Sequence, residues 1–198
     1  MSAAQHPFVV ARDPVSPPAG LEGAVAALGN FDGLHRGHRG VVERARTLAQ
    51  RTEKPCCVAT FEPHPADFFA RRPVIFRLTP PDAKAALLAR LGLDGMVVFT
   101  FDSAFAALSA RQFTEEALAR RLGVSAIVAG YDFRFGAGRA GDAAFLQAEG
   151  ARKEKLFTAC TGTRRPARAS ASATCCARRR ARLELPRQSP FASAKPTT

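Results

Sequence analysis

Four short apolar runs, at residues 24–28, 55–61, 95–101 and 125–130, are separated by segments whose apolar residues recur at helical spacing. That alternation constrains the fold more than any other feature. Apolar runs of this length read as buried strands, and strands separated by helices return to one sheet in parallel. The fold class is therefore α/β: a Rossmann-like parallel sheet with helices on both faces. Helices are expected at 39–51 (apolar Val41, Val42, Ala45, Leu48, Ala49), 79–91, 112–122 and 142–149. Thr79-Pro80-Pro81-Asp82 offers a capping threonine, proline in the first turn and an early acid, while Ser109 caps the next helix. Gly92 and Gly123 close these two helices. Residues 1–23 are rich in proline and read as extended chain over the surface before the first strand.

Ligands of such sheets bind beyond the carboxyl ends of the strands. Three unusual loops leave those ends. The first is Gly29-Asn30-Phe31-Asp32-Gly33-Leu34-His35-Arg36-Gly37-His38. Strand, glycine-rich turn and helix together set backbone N–H groups and a helix N-terminus against a phosphate. His35 and His38, three apart at the helix start, can share one face and donate hydrogen bonds to charge developing on phosphorus. No Gly-Lys-Ser/Thr follows, so the turn is not a P-loop, and it lacks the G-x-G-x-x-G dinucleotide fingerprint. The second loop, Glu62-Pro63-His64-Pro65, is stiffened by two prolines around one histidine. The third opens after Gly130 and carries Asp132, Phe133 and Arg139 among glycines. Their convergence announces a phosphate-handling site.

The formal charge of +12 is not spread evenly. Residues 152–198 hold twelve of the 29 Lys/Arg and two of the 17 Asp/Glu, leaving 17 against 15 in the rest. The body is nearly neutral, so basicity gives no argument for a nucleic-acid partner. No aromatic residue interleaves with Arg178-Arg179-Arg180, which would grip phosphates without specificity. There is no apolar stretch long enough for a membrane span and no secretory signal pattern, so a cytoplasmic location is expected. Cysteines at 56 and 57 and at 175 and 176 fit neither a disulfide nor a zinc pattern, and Cys56 and Cys57 read as buried strand residues. No metal-ligand set is evident. From residue 152 onward Arg, Ala, Ser, Thr and Pro dominate, a composition typical of disorder.

The first loop resembles the G-x-F-D-G-x-H-x-G-H signature of the FMN adenylyltransferase (FAD synthetase) module that begins the bacterial bifunctional riboflavin kinase/FMN adenylyltransferases. Thr60-Phe61-Glu62-Pro63-His64-Pro65 is similar to its second signature, and Leu78-Thr79-Pro80 to its third. Gly130-Tyr131-Asp132-Phe133-Arg134-Phe135-Gly136, with Arg139 and Gly141, is similar to the fourth. The resemblance covers roughly residues 22–150. It implies a nucleotidyltransferase fold and transfer of AMP from ATP to FMN, giving FAD and pyrophosphate with Mg²⁺. It also implies that His35 and His38 contact the ATP phosphates and the transition state. Gly29, Asn30, Phe31, Asp32 and Gly37 would lie against nucleotide. Phe61, Pro63, His64 and Pro65, with Asp132, Phe133 and Arg139, would shape the flavin and adenine sites. Small molecules, ATP and FMN, are the implied partners, without nucleic acid or membrane.

Two features of the family pattern are missing. Its further strand and Ser-Ser/Thr-x-x-Arg segment are not evident, since Ser170-Ala171-Ser172-Ala173-Thr174 is no match, and no riboflavin kinase barrel follows. The expected organisation is a C-terminally incomplete domain over 1–151 and an aberrant basic tail over 152–198, read as out-of-frame translation. A nucleotidyltransferase using another phosphorylated acceptor and a non-catalytic nucleotide-binding remnant are the alternative functions.

Overall fold

The computed structural model describes residues 7–153 and 156–160, the latter as backbone only. Six strands form one sheet in the order β1-β4-β3-β2-β5-β6: β1 (Val9–Arg12), β2 (Val25–Leu28), β3 (Cys56–Glu62), β4 (Gly95–Thr100), β5 (Ala126–Gly130) and β6 (Leu156–Cys160). Every pairing is parallel. The four apolar runs are β2, β3, β4 and β5, and each is buried along nearly its whole length.

Continuous burial follows from cover on both faces. Val25 and Ala27 of β2, Cys56 and Val58 of β3, and Met96 and Val98 of β4 point to one side. There they meet Val41, Val42, Ala45 and Ala49 of α1 (Arg36–Thr52), while Leu88 comes from α3 (Pro81–Arg90). Ala26, Leu28, Ala59, Phe61, Val97 and Phe99 point to the other. That face is covered by Phe113, Ala117 and Leu118 of the π-helical stretch Phe113–Arg121 and by Leu146 of α6 (Ala143–Arg152). Between these lie three short helices: α2 (Pro65–Ala70), α4 (Ser103–Ala106) and α5 (Ala110–Gln112), the last running into the π-helical stretch. Ser109 caps α5 through a full capping box with Gln112.

Three expectations change. Within residues 1–23, 9–12 are not surface coil but the edge strand β1, paired from Val9↔Gly95 to Arg12↔Val98. Asp13 fixes its end by accepting from the Thr100 amide at 2.8 Å and from the Arg121 guanidinium at 3.3 Å. At the other edge the sheet runs past the expected boundary at 151. Arg152 still belongs to α6, and β6 pairs with β5 from Ala126↔Leu156 to Gly130↔Cys160. A sixth strand therefore lies beyond residue 151. The basic stretch and the serine-rich segment fall in 161–198, outside the described residues. Finally, Thr79 does not cap α3. Pro80 occupies that position without a side-chain bond, and the threonine hydroxyl serves the site instead.

Cys56 and Cys57 are buried in β3 as expected, and burial pushes the Cys56 thiol up to about 12 and that of Cys57 higher still. Neither is a nucleophile at neutral pH.

Candidate active site

β2 lies between β3 and β5, so the chain leaves β2 toward one side of the sheet and leaves β5 toward the other. A crevice opens at such a switch point, beyond the carboxyl ends of the strands. The loop after β2 enters it with Phe31 and Leu34 in left-handed backbone conformations (φ 51° and 37°) and with both side chains buried. Gly33 is also left-handed, and an added Cβ there would lie 2.7 Å from Leu78. His35 then caps α1, its Nδ1 accepting from the His38 amide at 3.4 Å. With Nδ1 an acceptor, His35 carries its ring proton on Nε2. Gly37 lets the ring lie flat: a Cβ at that position would stand 3.1 Å from the His35 ring.

The two imidazoles stack at 3.7 Å between centroids and 21° between planes, as their spacing suggested. Phe31 supports His38 from below at 5.3 Å. Burial first, and then the neighbouring His35, hold the His38 imidazole below its ordinary value, against an opposing pull from Asp32. His38 is thus neutral at pH 7, and its buried Nδ1 has no hydrogen-bond partner among the described residues.

Asp32 does not face open space. Its carboxylate accepts from the amides of Thr79 at 2.8 Å and Leu78 at 3.1 Å, while Thr79 Oγ1 accepts from the Gly33 amide at 2.8 Å. These bonds clasp the glycine-rich loop to the entry of α3. Burial raises the Asp32 carboxyl, but the two amides, the Lys84 charge and the Gly33 amide outweigh it and hold the group below the usual range. Such a group stabilises the fold above its unfolded value near about 3.9, and that stabilisation is lost as pH falls through the lower folded value. Asp32→Asn is expected to cost about 1–2 kcal/mol at pH 7. Urea titrations down the acid limb should show the two proteins converging; a difference that persists at the lowest pH overturns the assignment.

His64 caps α2, its Nδ1 accepting from the Ala66 amide at 3.1 Å, and its Nε2 lies 3.0 Å from the Asn30 side-chain amide. The neutral ring carries its proton on Nε2, so the bond forms when the Asn30 oxygen turns toward it. Pro63 and Pro65 flank this histidine, with Pro65 in the first turn of α2. Next to it Arg77 grips Glu62 and approaches Asp67 at 4.0 Å. Asn30, Asp32, Glu62, His64, Arg77 and Lys84 line the small cavity between the two loops.

Phe61 lines the same cavity while its ring packs into the core, and the remaining expected residues lie on the loop after β5. Phe61 is a core side chain ringed by Phe99, Phe101, Phe105, Phe113 and Phe133 at 5.8–6.5 Å. Phe133 packs on that cluster. Asp132 and Arg139 are exposed on the loop after β5, which an antiparallel bridge between Phe135 and Gly141 holds in shape. No contact among the described residues joins either to the histidine pair.

Lys84 was not anticipated. It is 4% exposed, and its Nζ donates to the Asn30 carbonyl at 2.7 Å and to Thr60 Oγ1 at 3.4 Å. Thr60 Oγ1 donates to the same carbonyl at 3.1 Å. Burial holds the ammonium below its ordinary value. The one available signal was its position four before Leu88, the buried residue of the same helical face.

A switch-point crevice with stacked imidazoles at a helix N-terminus defines an α/β domain of the nucleotidyltransferase type. The chain belongs to the FAD synthetase family, whose model matches residues 18–165. It is 42% identical over 129 residues to the bifunctional riboflavin kinase/FMN adenylyltransferase of Escherichia coli K12, covering 65% of this chain and 41% of that protein. The protein of that name from Pseudomonas fluorescens is 40% identical over 128 residues, with the same coverage. The chain thus spans about two fifths of the length of these relatives. A crystal structure of a macrolide-efflux protein from Streptococcus pneumoniae superposes with a TM-score of 0.63 at 23% identity, over 77% of this chain and 51% of that one. At that identity the likeness concerns the fold alone. Among the described residues no helix is long and apolar enough to cross a membrane.

Proposed function

We propose that this chain transfers AMP from ATP to FMN, yielding FAD and pyrophosphate. The observation that carries the reading is the stacked His35–His38 pair at the N-terminus of α1, on the loop that bears the family signature. In the reaction a phosphate oxygen of FMN attacks the α-phosphorus of ATP. The new P–O bond forms as the bond to the α,β-bridging oxygen breaks, and pyrophosphate leaves. No covalent enzyme intermediate is required, so alignment and charge stabilisation supply the rate. His35 offers its Nε2–H and His38 one ring N–H to the phosphate oxygens as negative charge redistributes around phosphorus. Gly29, Asn30, Phe31, Asp32 and Gly37 shape the seat beneath the triphosphate. Pro63, His64 and Pro65 border the acceptor side, and the loop after β5 that carries Asp132, Phe133 and Arg139 contributes to the flavin and adenine sites.

Among the described residues no group of three His, Cys, Asp or Glu can hold a metal, and the Asp32 carboxylate is occupied by main-chain amides. These residues do not form a Mg²⁺ cage, and no step is assigned to one. Mg²⁺ characteristically binds substrate phosphates with few protein ligands.

Incubating the purified chain with ATP, FMN and Mg²⁺ and separating the flavins tests the reading. FAD and pyrophosphate in equal amounts are expected. Folded protein that binds ATP and makes no FAD sinks the proposal in favour of a binding remnant, and adenylylation of a different phosphorylated acceptor would redirect it to a sibling transferase.

A further inference from the structure

We infer that Lys84 is a positioning residue for His38, acting through the Asn30 carbonyl and the left-handed backbone of Phe31. The inference rests on the AMP-transfer reading for its consequence in catalysis, but its geometry stands without it. A lysine at 4% exposure is unusual, and among the described residues no carboxylate lies within ion-pair distance of this one. Its two acceptors are the Asn30 carbonyl and Thr60 Oγ1, and Thr60 in turn donates to that carbonyl. One main-chain oxygen therefore receives two donors, one of them charged, from two different elements.

That oxygen belongs to the peptide unit preceding Phe31. Planarity couples the carbonyl's direction to the orientation of the Phe31 N–H and hence to its φ. Phe31 sits at φ 51°, a conformation a bulky residue holds only where its surroundings impose it. The consequence is local and specific: the Phe31 ring, 1% exposed, is turned beneath His38 at 5.3 Å, and His38 is stacked on His35. Lys84 thus sets the height and tilt of an imidazole it does not touch. Asp32 and Glu62, though nearby, cannot replace it, since an ionised carboxylate has no hydrogen to donate to a carbonyl.

Lys84→Met keeps the stem and removes the charged donor. In FAD formation it is expected to lower kcat between about 10-fold and 100-fold with the FMN KM within about threefold, the pattern of a misplaced catalytic group. In the same protein the His38 Cε1–H proton resonance, displaced by the two neighbouring rings, should move toward its unstructured position. That readout needs no turnover, so a wild type that makes no FAD removes the AMP-transfer reading while the resonance still decides the role of Lys84. A folded Lys84→Met with an unchanged His38 resonance overturns the inference, even if kcat has fallen, because the lysine would then be acting on substrate. Should that variant not fold, Thr60→Val removes the second donor to the same carbonyl at constant volume. A smaller displacement of the His38 resonance in the same direction is expected there, and none overturns the inference.

Discussion

Replacing His38 with alanine lowers the rate of FAD formation by about 10²–10³-fold, the cost of removing one preorganised donor to developing charge. The ATP KM should change little, because a neutral imidazole that meets extra charge only as the reaction proceeds contributes chiefly to the transition state. His38 is well suited to that part. Burial and the neighbouring His35 keep it neutral, so its N–H is offered without the desolvation cost of an imidazolium. The ring is clamped between His35 and Phe31, which removes the freedom a surface histidine would have to lose on reaction. His38→Gln, whose amide can place a donor near the position of Nε2, should recover part of the rate. Steady-state kinetics across both variants, with thermal unfolding as a control for folding, provide the check. A His38→Ala protein that turns over within threefold of wild type would falsify the role.

Phe61→Ala is expected to cost about 3–5 kcal/mol of folding stability, the range for removing a buried aromatic side chain from a close-packed core. The side chain is 6% exposed and touches five other phenylalanine rings. They come from β4, the chain just after it, α4, the π-helical stretch and the loop after β5, so the ring binds the layers of one face of the sheet together. No single neighbour can fill the space by turning, and most of the cavity term should survive relaxation. For a domain of this size the loss corresponds to about 10 °C in Tm. Phe61→Leu, which keeps most of the volume, should cost nearer 1 kcal/mol. Differential scanning calorimetry separates the two, and FMN KM should stay near wild type in Phe61→Leu. Phe61 also lines the cavity beside His64, so a large selective rise in that KM would give it a direct part in the flavin site as well.

The sheet was legible because its central strands are apolar throughout and their helices carry glycine and proline at the ends. The edges were not. Residues 9–12 are half exposed and follow a proline-rich start, while the short apolar run 156–160 is hidden by the basic residues on either side of it. Within the site, the histidines and their loop could be read directly, since glycine, histidine and helix start occur consecutively. Thr79 and Asp32 carried local signals, for a cap and for a nucleotide contact, and the fold used both to join loop to helix. Lys84 was hidden because a lysine on an amphipathic helix ordinarily faces water. Only the tertiary approach of α3 to the end of β2 reveals what its ammonium meets.

The bonds from Thr79 to Asp32 and Gly33, and from Lys84 to Asn30, span 47, 46 and 54 residues of chain. The glycine-rich loop is therefore not a local structure that forms with its own strand and helix. During synthesis Thr60 of β3 reaches the Asn30 carbonyl first, and the clasp is complete only when α2 and the first turn of α3 have emerged. Contacts of such separation form only once the intervening chain has closed its loop. Changes at residues 79 and 84 should therefore speed unfolding more than they slow folding, leaving the order in which the strands associate untouched.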